Sequence, residues 1–128
     1  MIEDATQKHR VLIEELAQNT IYETIKWVEP RVYDGIRTTL GDYSIEIYER
    51  NSEFSESDYH VVIFDEWESE IDKFTDVDIS RGGYAPTRNA ESYYELMANT
   101  VRTAKRQMKG ADKAVDAIIG KLKDMMPF

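Results

Sequence analysis

Apolar residues recur at helical spacing near both ends of this chain and at alternate positions in its middle. Ile2, Ala5, His9, Leu12, Ile13, Leu16 and Thr20 share one face of a helix expected over about residues 3–23. Val11 falls outside that stripe, where exposure is expected. "TIKWVEP" has two readings, a short strand or a helix continuing to Trp27, and Pro30 ends either one. From Gly35 the period changes to two. "GIRTTL" alternates Ile36, Thr38 and Leu40, and "GD" then suits a two-residue hairpin turn with glycine first. "YSIEIYER" alternates Tyr43, Ile45 and Ile47 against Ser44, Glu46, Tyr48 and Arg50. After a polar loop, "NSEFSES", the run "DYHVVIFD" is apolar on both faces. That pattern predicts an interior strand with something covering each side. "EIDKFTD" reads as a fourth, edge-like strand, and residues 76–88 as a loop.

Two further helices close the chain. Tyr93, Leu96, Met97, Thr100, Val101, Ala104 and Met108 form an apolar stripe, with Asn89 as the expected N-cap and Gly110 as the stop. Ala111, Val115, Ile118, Ile119, Leu122 and Met125 form another, with Asp112 as its expected cap. The pattern therefore predicts one α+β domain over residues 1–128: an N-terminal helix, a three- to four-stranded antiparallel meander and two C-terminal helices. "YYELMANTVRTAKRQMKGADKAVDAIIGKL" resembles the tail of many small bacterial proteins without assigned function. "LGDYSIEIYER", "YHVVIFDEW" and "IDKF" resemble their short sheet. The resemblance covers most of the chain after Gly35. It implies the same fold and no activity, so it carries over no functional residue.

Charge adds an asymmetry. Residues 42–78 hold thirteen acids and two bases, net −11, whereas residues 79–128 are net +4, within a whole of −9. An acidic chain is a poor ligand for nucleic acid or anionic lipid, whose phosphates require lysine and arginine. With no cysteine, disulfides, thiolate nucleophiles and cysteine-ligated metals are excluded. The start lacks a basic and apolar leader, and no run is long enough to cross a bilayer, so the expected location is cytoplasmic.

Residues 64–80 carry seven carboxylates and one lysine. Asp76, Asp78 and Ser80 begin like a calcium loop, but Arg81 stands where glycine must turn the chain, and Thr87 where a bidentate glutamate must close it. Neither His9 nor His60 has a sequence-adjacent partner at metal-ligand spacing, and no nucleophile motif is present, so neither catalytic residue, metal nor cofactor is expected. His9 falls within the apolar stripe, as a core or boundary histidine with one hydrogen bond.

The remaining candidates are surfaces. Asp65, Glu66, Trp67, Glu68, Glu70 and Asp72 form an acidic strip around a tryptophan in a polar turn, which either folds back or waits for a partner. Trp27, Tyr33, Tyr48, Tyr59 and Tyr84 are further aromatic candidates. A field of this sign steers basic partners. The leading expectation is a non-enzymatic protein-interaction module of bacterial or phage origin. It acts as an inhibitor or adaptor on a basic surface such as that of a nucleic-acid-binding protein. The alternative is a small-ligand or regulatory domain using Arg81, Gly82, Gly83, Tyr84 and Arg88. A basic stripe, Arg102, Arg106 and Lys109, offers a route to a homodimer through the acidic sheet of a second copy.

Overall fold

A computed structural model describes residues 4–31, 34–52 and 55–127, so Ile2 and Tyr33 lie outside the described residues. Helix α1 spans Ala5–Ile21, and Asp4 caps it by accepting the Gln7 N–H at 2.8 Å. Ile13, Leu16, Ala17 and Thr20 are buried and Val11 is exposed. The helix stops at Tyr22, followed by Glu23 in the left-handed region at φ +59°. "TIKWVEP" is neither strand nor helix: a single bridge pairs Val28 with Arg37. Trp27 instead plugs back into the core, its indole N–H donating to Thr20 Oγ1 at 2.9 Å.

Four strands follow: β1 (Gly35–Leu40), β2 (Tyr43–Ser52), β3 (Ser55–Phe64) and β4 (Glu70–Thr75). They form an antiparallel meander in the order β1-β2-β3-β4, with β2 and β3 interior. The two-residue turn with Gly41 at φ +64° sets Leu40 opposite Tyr43, and that register carries down the hairpin. The expected polar loop over residues 51–57 is shorter than its composition suggests. Pairing continues to Ser52 and Ser55, with a register shift after Arg50.

Residues 76–88 are not wholly loop. Thr75 and Asp78 make a reciprocal capping box that starts a one-turn helix, α2 (Asp76–Ser80). Helix α3 (Tyr93–Lys109) is capped by Ser92, not Asn89; the Ser92 hydroxyl accepts the Glu95 N–H while Asn89 sits at φ +72°. Gly110, at φ +67°, both ends α3 and opens α4 (Ala111–Asp124). Asp112 does not cap α4; it lies in the first turn and pairs with Arg106 at 2.6 Å.

One core lies between α1, α3 and one sheet face. Ile13, Leu16 and Ala17 meet Leu96, Met97, Val101 and Ala104 over Ile36, Ile45, Ile47, Val61 and Phe74. His9 stacks on Phe74 at 3.9 Å between ring centres. The stripe of α4 is the exception: no residue of that helix is buried.

Candidate functional site on the helix-free face

Alternation sends Arg37, Glu46, Tyr48, His60, Val62 and Phe64 to the face that the helices leave open. Glu46 is nevertheless buried there, because the hairpin register sets it directly opposite Arg37 and the two form an ion pair. The second arm of the guanidinium reaches both carboxylate oxygens of Glu68, at 2.5 and 2.7 Å, and Arg31 closes the series on Glu68 at 3.0 Å. The same guanidinium lies 5.3 Å from the Phe64 ring. Burial works against the charge on Arg37, but its hydrogen bonds to Glu68 and Glu46, and their negative charges, outweigh it and raise its pKa above the ordinary arginine value. These charges cover the apolar ring that the sequence pattern expects a second layer to cover.

Glu68 reaches inward because the β3–β4 turn is wound tightly. Asp65 Oδ1 accepts the N–H groups of Trp67 and Ser69 at 3.0 and 2.9 Å, and the Asp65 N–H donates to the Ser69 carbonyl. Glu68 itself sits at φ +65°, a conformation costing a non-glycine residue about 1–2 kcal/mol that its ion pairs offset. The turn thereby points Glu68 into the sheet and leaves Trp67 77% exposed. Beside it runs an open groove of about 600 Å³, lined by Tyr48, His60, Phe64, Arg50, Lys73 and Glu70. Tyr48 and His60 stack across strands at 5.4 Å.

The structure divides the acidic strip. Asp65 is consumed by the turn, Glu68 by Arg37 and Arg31, and Asp72 by His9, whose Nε2 lies 2.7 Å from its carboxylate. Glu66 and Glu70, which bracket Trp67 in the sequence, form no ion pair among the described residues and stand exposed. The expected strip of six is thus a short acidic rim around one aromatic side chain. Glu46, on the side of β2 opposite Tyr43, Ile45 and Ile47, is interior for the reason given.

Residues of the glycine loop converge only in part: Arg81 and Tyr84 line one hollow with Arg10. Tyr84 turns back beneath the Arg10 guanidinium, 3.7 Å from its ring centre, and Arg10 Nε donates to the Ile79 carbonyl. Arg81 leans on Asp78 at 3.5 Å, and Gly82, Gly83 and Arg88 stay exposed, none lining the hollow beside Tyr84. Asp76 is buried under the sheet edge, accepting the Tyr59 N–H at 2.7 Å; burial first, then the neighbouring charge of Asp58, pushes its pKa up. The Tyr59 hydroxyl is pushed up to about 12 by burial and by the charge of Glu49. Asp78 binds the Thr75 N–H and Ser80 the Asp76 carbonyl, so the three residues that begin like a calcium loop build α2 instead.

The Arg37–Glu46 pair escaped the reading of the sequence, although its signal is there: a two-residue turn at Gly41-Asp42 fixes Arg37 opposite Glu46. The reach of Glu68 has no such signal, because it depends on a left-handed residue in the turn. Comparison with known proteins finds no matching family model, curated protein or solved structure. The fold and the site define an α+β protein with a four-stranded meander, helices on one face and an ion-paired open face.

Proposed function

We propose that this chain is a non-enzymatic interaction module that docks on a basic protein surface through the β3–β4 turn. Trp67 is the apolar anchor, and Glu66 and Glu70 are its charged flanks. The observation that carries the reading is a tryptophan 77% exposed on a turn immobilised by two hydrogen bonds to Asp65 and by the pairing of Glu68. Tryptophan is the residue type that most often dominates binding energy. A turn already rigid loses little further entropy when it docks. The two free carboxylates favour a partner whose pocket is rimmed by lysine or arginine, as nucleic-acid-binding grooves are, and add mainly to the association rate.

The test is affinity capture with the wild-type chain against Trp67→Ala and against Glu66→Lys combined with Glu70→Lys. A specific partner is expected to lose affinity at least tenfold with the alanine, about 1.4 kcal/mol or more. The lysine variant is expected to lose most of the salt-dependent part of binding. A capture profile unchanged in both variants, with both still folded, overturns the proposal. Once a partner is in hand, fluorescence reports the contact directly, since Trp27 is buried and Trp67 is the exposed indole.

A further inference from the structure

Helix α4 leaves the body of the protein with its apolar face bare. Gly110 turns the chain sharply out of α3, and Val115, Ile118, Ile119, Leu122, Met125 and Met126 all remain largely exposed. Fourteen residues without tertiary packing make a marginal helix in water, so this one needs an occupant for its face. We propose that the occupant is α4 of a second copy, packed antiparallel about a two-fold axis near Gly120.

Two features of the helix select that partner. First, the stripe reads alike from either end: an antiparallel pair sets Ile118 against Leu122 of the second copy and Val115 against Met125 of the second copy, each twice. Second, the charges along one flank are self-complementary. Asp116 and Lys123 share that flank, and neither is ion-paired among the described residues. Antiparallel alignment about Gly120 brings Lys123 of the second copy within one residue of the level of Asp116 on the same flank, with Asp124 level with it on the other flank. Parallel alignment sets Asp116 between the heights of Ala114 and Ala117 instead, and Lys123 between Lys121 and Asp124. On the other flank of the antiparallel pair, Ala114 and Ala117 leave room for the two Lys121 chains to spread into solvent. Gly120 points away from the seam, and nothing lies near it.

The seam is about 21 Å long at 1.5 Å per residue, less than a standard interface needs, so the pair is concentration-dependent. It does not involve Trp67, and Trp67→Ala leaves it unchanged; failure here and failure of the docking turn are therefore separate results.

Sedimentation velocity of the full chain over about a hundredfold concentration range tests the inference. The wild type is expected to move from monomer to dimer. Ile118→Glu combined with Leu122→Glu is expected to stay monomeric throughout, with the melting temperature of the dilute wild type, since both side chains stand exposed. Asp116→Lys is expected to weaken the dimer about fivefold, and adding Lys123→Asp to restore it. A wild type that stays monomeric overturns the inference, including one that instead binds phosphatidylglycerol vesicles through this face. So does a dimer that survives the double glutamate, or a charge swap that restores nothing.

Discussion

Removal of the Arg37 side chain would strand Glu46 beneath the open sheet face with no counter-charge. Arg37→Ala is therefore expected to destabilise the fold by about 3–5 kcal/mol in urea denaturation, the usual cost of breaking a buried pair from one side. Replacing both partners by Arg37→Met and Glu46→Leu is expected to cost far less, because no charge is then left unpaired. Asp76 offers a second test at this scale. Its folded pKa is raised above the ordinary 3.8, so the folded state holds the proton more tightly than the unfolded chain does. Stability from this group is full below the ordinary value and is lost as pH rises through the raised one. Asp76→Asn keeps an oxygen for the Tyr59 N–H and removes the buried charge. The variant is expected to be at least as stable as wild type at neutral pH, with a flatter profile through the weakly acidic range. A variant clearly less stable at neutrality would show the charge itself to be needed.

Among the elements, α1 and α3 were legible because their stripes are the faces they bury: Ile13, Leu16 and Thr20 on one, Leu96, Met97, Val101 and Ala104 on the other. The stripe of α4 is as regular, yet it buries nothing. Periodicity reports that a helix has an apolar face, and not whether its own chain supplies the cover. Ending the chain after Gly110 is accordingly expected to leave the melting temperature of dilute protein within about 2 °C of wild type, for a loss of well under 1 kcal/mol. A large fall would mean that α4 supports the body. Loop composition was the weaker guide. Residues 76–80 read as loop because Gly82-Gly83 and Pro86 break regular structure within the same stretch, but a reciprocal cap at Thr75 and Asp78 is enough to fix one helical turn.

For the whole molecule, the acidic middle is neutralised only in part, chiefly by bases that precede it, while the basic end pairs mostly elsewhere. Lys105 reaches Asp34 at 2.8 Å, Arg106 reaches Asp112, and Arg37 and Arg31 draw in Glu46 and Glu68. The exposed pairs among these add little stability, but every pair removes a carboxylate from the field that a partner would feel. Trp67 with Glu66 and Glu70 stays available, as does the bare face of α4. The sequence by itself determined the order of the longer elements, the meander, the apolar stripes and the register of the first hairpin, because each follows from local periodicity and one glycine turn. Only the tertiary structure decided which carboxylates are spent inside the molecule and which helix face goes uncovered. Those outcomes depend on which side chains meet across tens of residues, as Arg37 meets Glu68 and His9 meets Asp72, and a one-dimensional pattern carries no distance between them.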